Sequence, residues 1–504
     1  MMKNNLQKSN RSRSQYLLRS GLIFTLIFTF IACSVQKSPI TGQKRLYGYT
    51  WQQEIELGRQ ADSEIIQYYG LYDNPELTDY VTKVGKSVLN ESHLRRDGAD
   101  AQFRNTQFTF RVLNSPVVNA FALPGGFNYV TRGLLTHMTS EAQLAMVLGH
   151  EVAHVAARHA SQQAVQRQAG SILLIGGAVL GQELLGGPAQ DVLELGGTAA
   201  QLLFLRYSRD AERESDRLGV EYAARAGYDA SKGAAFFTTL KRLSDQAGQS
   251  IPGFMSSHPD PGEREKDIID RSETWRQRGF SQTHIKQEEF YKAITGLVIG
   301  ENPREGFVKD QTFYHPELAF SFDVPNSWNL INEPSQVILV TSDQKAITIF
   351  NIPDAQSIQQ AIDQISNLEQ VTVSNRESIQ INGRQAQRLN ATMVDNGRTY
   401  ALIVTAIEYG GRVYRYLSYT LESDLNTFRS AMLSSAGTFR PVTDQAILNI
   451  QPARIRIYKT DRITTLANLL PATMPIGITK ESMAILNQVD LNENLAVGTL
   501  LKLF

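Results

Sequence analysis

Cysteine is almost missing from this chain of 504 residues, since Cys33 is the single one. An intrachain disulfide framework and a zinc module built from several cysteines are therefore excluded. An excess of either charge is also lacking, because 50 Lys and Arg residues balance 50 Asp and Glu residues. A zero net charge argues against a nucleic-acid binder, which needs a basic excess or patch. With 42% hydrophobic and 20% charged residues, the composition is that of a folded protein.

No clean apolar run reaches the ~20 residues that a membrane-spanning helix needs. Residues 170–181 and 192–205 are predicted to be helices in the core or against a groove. Residues 21–32 are an apolar run of 12 that follows five basic side chains, which predicts a signal peptide over residues 1–33. The run ends in FIAC, which resembles a bacterial lipobox and predicts lipidation of Cys33. An ordinary signal peptide and an uncleaved anchor are the alternatives.

Four segments follow this N-terminal signal. Residues 34–50 are mostly polar and carry no acidic side chain, which fits a tether. Helical periodicity dominates residues 51–300, residues 310–445 alternate with the period of strands, and residues 453–504 form a short last unit. The predicted fold class is α+β, with a mainly helical domain, a separate α+β domain and a β-α-α-β unit.

One helix is predicted to carry a metal site. Ser140 and Gln143 have the spacing of a capping box, so a helix should begin there. His150 and His154 then lie one turn apart on one face, and both imidazoles can reach one zinc ion at ~2.0–2.1 Å. Glu151 lies beside this pair, where it can hold a water molecule rather than the metal. It can take the proton of that water and pass it to a leaving amine.

A catalytic zinc ion needs a third protein ligand and one open position. Glu212 and Asp216 share one face of a later helix, so Glu212 is predicted as the third ligand and Asp216 as the hydrogen-bond partner of a ligating histidine. His159 lies about 140° round the helix from His154 and is predicted to be an outer contact or a surface residue. Glu214 lies about 200° from Glu212 and should face solvent.

The H-E-x-x-H motif of residues 150–154, followed by E-x-x-x-D at residues 212–216, resembles the gluzincin metallopeptidases related to HtpX, to the CAAX prenyl protease and to BepA-like periplasmic proteases. The resemblance covers about residues 54–271 and implies a metalloendopeptidase with one zinc ion per chain. It places the metalloprotease domain in residues 51–300. Further matches to this family lie at residues 119–126, 131–135, 207–209 and 257–261.

The resemblance also implies two roles outside the ligand set. Asn119, Ala120 and Phe121 would belong to an edge strand that pairs with an extended substrate, the alternative being plain sheet core. His258 would either occupy the fourth zinc position and hold the enzyme closed or face the oxyanion as a catalytic residue. An ordinary loop histidine is the remaining alternative.

The two later units resemble binding modules. Residues 310–445 look like a PsbP/Mog1-type α+β fold, for which binding or spacing is the expected role. Residues 453–504 look like a LysM-type module, which usually binds N-acetylglucosamine polymers and would add peptidoglycan as a partner. Thr460 and Asp461 stand where such modules usually have Gly-Asp.

Together, these features predict a zinc metalloendopeptidase on the periplasmic side of the cell envelope, lipid-anchored in the outer membrane. Its expected substrates are misfolded or misassembled envelope proteins, and its expected partners are proteins, peptides and the membrane, with no nucleic acid. Three alternatives stay open: an assembly factor or chaperone on a protease fold, a peptidoglycan-binding structural lipoprotein, and a zincin of another reaction class.

Overall fold

The structure is a computed structural model that describes residues 34–171, 207–247, 254, 257–258, 263–395 and 397–504. The predicted signal peptide with Cys33 and nearly all of the two internal apolar segments lie outside the described residues. Among the residues that are described, none of the helices combines the length and apolar character that crossing a bilayer requires.

The first part of the fold, here called the helical unit, comprises the described residues of 34–300. It begins with the hairpin β1 (Ser34–Lys37) and β2 (Lys44–Tyr47). Its helices are α1 (Trp51–Tyr69), α2 (Pro75–Asn90), α3 (Ala101–Arg104), α4 (Arg132–His137), α5 (Glu141–Ala157), α6 (His159–Ser171), α7 (Arg209–Arg225), α8 (Lys232–Ala247), α9 (Arg264–Gln277) and α10 (Gln287–Ile294). A small sheet has the order β3-β5-β4, from β3 (Thr109–Leu113), β4 (Ala120–Leu123) and β5 (Phe127–Thr131). β3 and β5 are parallel, and β4 is the antiparallel edge strand.

The hairpin differs from the tether expected over residues 34–50. Tyr47 is fully buried, and the guanidinium of Arg158 lies 3.9 Å from the centre of its ring. Arg158 also donates to the Tyr49 carbonyl oxygen at 2.7 Å and to Glu54 at 2.8 Å. The segment is folded because Arg158, at the end of α5, needs buried acceptors that the hairpin and α1 supply. Composition alone does not reveal this partner.

Helix α5 begins as predicted, but with only half of the predicted capping box. The Ser140 hydroxyl accepts from the Gln143 backbone N–H, as expected of an N-cap. The Gln143 side chain accepts from the backbone N–H of Thr139 at 2.8 Å instead of that of Ser140. The helix start is therefore secured from the residue before the cap.

The second part, called the sheet unit, comprises residues 307–442. Its strands are β6 (Phe307–Lys309), β7 (Thr312–His315), β8 (Phe320–Asp323), β9 (Trp328–Asn332), β10 (Gln336–Thr341), β11 (Ala346–Asn351), β12 (Val371–Ile381), β13 (Arg384–Asp395), β14 (Arg398–Tyr409), β15 (Arg412–Leu421) and β16 (Arg440–Pro441). They form an antiparallel seven-stranded sheet, β12-β13-β14-β15-β11-β10-β9, and a four-stranded sheet, β16-β8-β7-β6. Helices α11 (Ile358–Ser366) and α12 (Leu425–Gly437) pack on separate apolar clusters of this unit.

The C-terminal unit, residues 453–504, follows the short helix α13 (Gln445–Leu448). Its order is β17 (Arg456–Lys459), α14 (Leu466–Leu469), α15 (Lys480–Asn487) and β18 (Leu500–Leu503), which is the β-α-α-β order expected from the sequence. Its apolar side chains belong to the core cluster of the helical unit. Lys502 is buried there, and its ammonium donates to the carbonyl oxygens of Thr136 and Met138 at 2.8 and 2.7 Å. The unit therefore packs directly behind the loop that leads into α5.

Candidate metal centre

Two buried helices bring the predicted ligands together. Helix α5 carries His150 and His154, and α7 carries Glu212. The helices approach closely at Gly149 and Gly219, where a Cβ on Gly219 would lie 2.9 Å from the backbone nitrogen of His150. Only glycine fits at such a contact. This approach places Glu212 beside the two histidines.

Four buried side chains offer donor atoms that lie within 4.8 Å of one another: His150, His154, Glu212 and His258. The His150 Nε2 atom lies 3.0 Å from His154 Nε2 and 3.3 Å from His258 Nδ1. Glu212 carboxylate oxygens lie 3.5 Å from His150 Nε2, 3.4 Å from His154 Nε2 and 3.1 Å from His258 Nδ1. The structure therefore brings the three predicted ligands and His258 to one point.

The donor set fits a zinc ion. Zinc–nitrogen bonds of ~2.0–2.1 Å in a tetrahedron put neighbouring donor atoms roughly 3.3 Å apart, close to the separations seen here. Glu151 adds a second observation, since both of its carboxylate oxygens are buried without a hydrogen-bond partner among the described residues. A buried carboxylate in that state implies a missing polar partner, such as a water molecule beside a metal ion.

Both histidines of α5 are held from behind by a hydrogen bond. Asp216 Oδ1 lies 2.9 Å from His150 Nδ1, which is the contact predicted for this residue. His154 Nδ1 lies 3.0 Å from His159 Nδ1, and His159 Nε2 lies 3.2 Å from Glu214. A metal ion bound at Nε2 would leave the ring proton of each α5 imidazole on Nδ1, where Asp216 and His159 would accept it.

The solvent-facing position predicted for Glu214 is wrong. Its side chain is 22% exposed, and it accepts from His159 and lies 3.6 Å from Arg217. The helical angle was correct, but α6 presents His159 on that side of α7. His159 is buried and supports His154, as an outer contact would.

Arg264, on α9, is a residue of the centre that the sequence patterns did not indicate. It is 2% exposed and donates to Asp216 at 2.7 Å and to Glu212 at 3.2 Å. Its guanidinium also lies 4.0 Å from the centre of the Phe237 ring. Residues 263–267 are a run of charged residues, which normally faces solvent, so nothing local marked Arg264. Burial opposes ionisation of Asp216, but Arg264 and His150 hold its pKa below the ordinary value.

The electrostatics of the centre suit a cation. Burial would lower the pKa of His150, but the hydrogen bonds that it donates to Asp216 and Glu212, together with the charges of these acids, outweigh burial and raise that pKa to about 9. Burial would raise the pKa of Glu212, but the charge and hydrogen bonds of the surrounding histidines hold it well below its usual range. Burial lowers the pKa of His154 well below its ordinary value. A metal ion competes with protons for these lone pairs, so its binding releases protons.

His258 lies at the centre because Phe254 supports it. The Phe254 backbone N–H donates to the Val118 carbonyl oxygen at 3.1 Å, and the His258 backbone N–H donates to the Phe254 carbonyl oxygen at 2.9 Å. The two rings stack with their centres 4.6 Å apart. His258 Nε2 lies 3.7 Å from Glu151 Oε1. The imidazole thus occupies the side of the centre where Glu151 would hold a water molecule.

The predicted substrate strand is an edge strand. Ala120 and Phe121 belong to β4, which pairs with β5 alone, and Asn119 directly precedes it. Phe121 is 6% exposed and stacks on Tyr129 at 4.7 Å, so its side chain serves the sheet core. Asn119 Oδ1 is buried and has no hydrogen-bond partner among the described residues. Side chains of this strand thus pack inward. Asn119 already uses both of its backbone groups, since its N–H donates to Thr131 Oγ1 and its carbonyl oxygen accepts from the Thr131 N–H. Among the described strands β4 pairs only with β5, so its open backbone edge begins at Ala120.

Parts of the chain are similar to a peptidase family and to two named proteases. The family model described as Peptidase family M48 matches residues 88–272. The beta-barrel assembly-enhancing protease of Escherichia coli (strain K12) is 29% identical over 247 residues, which are 48% of this chain and 47% of that protein. The mitochondrial metalloendopeptidase OMA1 of Schizosaccharomyces pombe is 27% identical over 301 residues, which are 56% of this chain and 82% of that protein.

The match to solved structures is much weaker. The solution structure of cyanobacterial PsbP from Synechocystis sp. PCC 6803 covers 26% of this chain and 91% of that chain, at 14% identity and a TM-score of 0.22. A TM-score of 0.22 does not establish a shared fold. The chain spans less than half the length of the E. coli relative, so that likeness concerns one part of each protein.

Proposed function

We propose that this chain, whose residues 88–272 match the family model described as Peptidase family M48, is a zinc-dependent metalloendopeptidase of the bacterial cell envelope. The observation that carries the proposal is the buried cluster of His150, His154, Glu212 and His258 beside Glu151, whose carboxylate oxygens have no hydrogen-bond partner among the described residues. In this proposal His150, His154 and Glu212 hold the zinc ion, and Asp216 orients His150.

Glu151 is the proposed general base and acid. A bound zinc ion supplies Lewis acidity, which polarises the scissile carbonyl and lowers the pKa of water to about 7. Glu151 accepts the proton of the attacking water on a carboxylate oxygen and passes it to the departing amine. Burial raises the pKa of Glu151, which helps it to hold that proton between the two transfers. The backbone edge that begins at Ala120 binds the substrate as an added strand.

His258 is the proposed gate of the centre. Its Nδ1 atom takes the fourth donor position in this arrangement, so the imidazole must move before water and substrate can enter. Phe254 holds it by ring stacking and by a backbone hydrogen bond. The described arrangement is thus proposed as the closed state.

Zinc content measured alongside casein cleavage tests the proposal, in purified protein that lacks residues 1–33. We expect about one zinc ion per chain, as in other single-site metallopeptidases, and cleavage that a chelator abolishes and zinc restores. The matched variant Glu151→Gln should keep zinc and lose cleavage. Protein that carries no zinc and cleaves neither casein nor short peptides would refute the proposal.

The proposed substrates are misfolded or misassembled envelope proteins. The support is the similarity to a protease named for enhancing β-barrel assembly. The same name favours a second candidate function, an assembly factor on a protease fold, in which hydrolysis is secondary. A strain with Glu151→Gln discriminates the two: the envelope defects of a deletion strain appear if hydrolysis is the function and are absent if assembly suffices.

The proposed location is the periplasmic side of the outer membrane, with a lipid on Cys33. The support is the lipobox-like end of the apolar run at residues 21–32. Cys33→Ser should release the protein from the membrane fraction or stall its processing. Unchanged fractionation and migration would indicate an ordinary signal peptide or a helical anchor instead.

Peptidoglycan is the further proposed partner, through the LysM-like C-terminal unit. Two exposed apolar side chains support it: Ile463, before α14, and Val497, before β18, are 69% and 63% exposed. The full chain should cosediment with insoluble peptidoglycan, and Ile463→Lys should reduce the bound fraction. Equal sedimentation with and without peptidoglycan would leave a structural role beside α5 for this unit.

A further inference from the structure

A large cleft lies between the helical unit and the sheet unit. Its volume is about 1390 Å³, above the ~300–1,000 Å³ typical of small-molecule pockets. One wall contains residues 67–70 and 114–117, and the other contains β9 and the start of β10. Ile476 of the C-terminal unit completes it. A polymer fits this shape better than a small ligand does.

Two residues next to the metal centre line the cleft. Asn119, next to the edge strand β4, lines it, and so does Ser257, which directly precedes His258. The Asn119 carbonyl oxygen is already paired with the Thr131 backbone N–H, but its side-chain Oδ1 has no partner among the described residues. A substrate chain that pairs with the β4 edge and extends beyond it would therefore reach residues that line the cleft.

Apolar side chains from all three units are exposed in the cleft. Large exposed hydrophobic residues that line it are Val117 (48%), Val308 (42%), Ile331 (46%), Ile352 (38%) and Ile476 (41%). Scattered exposed apolar residues need no explanation, but several that converge on one concave surface mark a binding site. Contact with apolar side chains of a ligand would cover them.

The charge of the cleft has one sign. Four glutamates line it, Glu301, Glu305, Glu317 and Glu333, and its described lining residues include no lysine or arginine. The buried Arg132 lies behind the lining, where its charge acts on Glu301 and Glu305. Facing carboxylates attract a basic ligand and repel an acidic one. Strand β9 adds a backbone edge, because it pairs with β10 alone in the described part of the chain.

We propose that this cleft binds an extended segment of the polypeptide substrate, rich in apolar and basic side chains, next to the segment that pairs with β4. The inference rests on the proposed function, because it takes the bound polypeptide to be a substrate. It adds the kind of segment that the cleft selects, which is apolar and basic and is unfolded enough to lie as a strand. Acidic segments are disfavoured because they would face four carboxylates.

Peptide binding tests the inference without requiring hydrolysis. The full chain carrying Glu151→Gln is titrated against a fluorescent peptide of about 15 residues, roughly 50 Å when extended, that alternates leucine and lysine. A second peptide has glutamate in place of lysine. Fluorescence anisotropy should show binding of the lysine peptide and at least tenfold weaker binding of the glutamate peptide.

Matched substitutions locate the binding. Ile331→Lys should weaken binding of the lysine peptide on the order of tenfold, because it removes one buried apolar contact and adds a like charge. Val117→Lys, on the opposite wall, should act in the same direction. Val373→Lys is the control, since Val373 is 42% exposed on β12, at the other edge of the same sheet.

Equal binding of both peptides, or equal affinity in the Ile331 and Val373 variants, would overturn the inference. Thermal midpoints of the variants close to that of the parent show that they are folded. If the protein binds the lysine peptide through Ile331 and Val117 but the Glu151 parent cleaves nothing, the proposed function fails and the cleft remains a peptide site. If it cleaves casein and the variants bind unchanged, only the cleft inference fails.

Discussion

The helical unit and the sheet unit bury different kinds of polar side chain. In the sheet unit, the described polar side chains that are buried are hydroxyls and one amide, Gln336. In the helical unit, the buried set includes many ionisable side chains: Glu54, Asp62, Arg132, Glu141, His150, Glu151, His154, Arg158, His159, Glu212, Asp216, Glu221, His258 and Arg264. Both units are folded around clusters of buried apolar side chains.

The difference shows which unit buries charged side chains, at a cost in stability, to form a reactive site. Burying a charge is costly unless it is paired, and a buried ion pair is weak evidence for stability. The sheet unit avoids that cost because its described interior buries no charged side chain. The helical unit accepts it at a cluster whose members support one another, from Arg264 through Asp216 to His150. The C-terminal unit shares this character, since it contributes the buried Lys502.

The largest effect is expected from removing a carboxylate from the cluster of His150, His154, Glu212 and His258. Glu212→Ala should lower zinc affinity by at least a hundredfold, since even outer contacts of a metal site are worth about 10–100-fold. Hydrolysis should fall to background. Asp210→Ala, on the exposed face of the same helix, is the control and should retain its zinc. Metal analysis after dialysis measures both, and full zinc content in the Glu212 variant would leave His258 as the third ligand.

His258→Ala examines the fourth position. Because His258 Nδ1 lies within 3.3 Å of two other donors, we expect its removal to open the centre and raise hydrolysis of a short peptide. A role facing the oxyanion would give the opposite result, a loss on the order of a hundredfold. Wild-type activity on every substrate tried would place His258 outside the reaction. Initial rates at matched zinc content distinguish these outcomes.

Lys502→Met tests whether the C-terminal unit belongs energetically to the helical unit. Burial holds the pKa of Lys502 well below its ordinary range, yet its ammonium satisfies two carbonyl oxygens behind α5. Leaving those oxygens unpaired should cost about 1–3 kcal/mol of unfolding free energy. Lys345→Met, on the exposed side of the sheet unit, should cost almost nothing. Denaturant titration monitored by hydrogen exchange should show the loss in residues 132–157 as well as in 453–504.

Acid should weaken the helical unit more than the sheet unit. Burial lowers the pKa of His93 and of His137 in the helical unit to about 4, and that of His315 in the sheet unit to about 4. In the unfolded chain these histidines titrate near 6.5, so the unfolded state takes up the proton first. The contribution of these three histidines to stability should be complete above pH 6.5 and should be lost as the pH drops from 6.5 toward 4.

Hydrogen exchange at several pH values resolves the two units separately. The slope should be steeper in the helical unit, which holds three of the four histidines whose pKa burial lowers: His93, His137 and His154. His137→Gln should reduce that slope, whereas the exposed His284→Gln should leave it unchanged. An equal slope in both units would contradict the expected difference.

Much of the metal centre was predictable because its parts are local. His150 and His154 are four residues apart on one helix, and helical periodicity alone places them on one face. Glu212 and Asp216 repeat that spacing on α7, and the structure brings them to the expected partners. The element order of residues 453–504 followed in the same way from short-range patterns. Arg264 and the β1–β2 hairpin could not be predicted, since their partners are more than 45 residues away in sequence.

The sequence by itself therefore determined the helix with its two histidines, the carboxylates on the second helix and the class of metal they suit. Spacing along a helix is a property of the chain alone. Tertiary structure decided what surrounds them: His258 at the fourth position, Arg264 behind Asp216, and a C-terminal unit that shares the core rather than standing apart. These depend on how segments far apart in sequence pack, because the partner of a buried charge is selected by proximity in space.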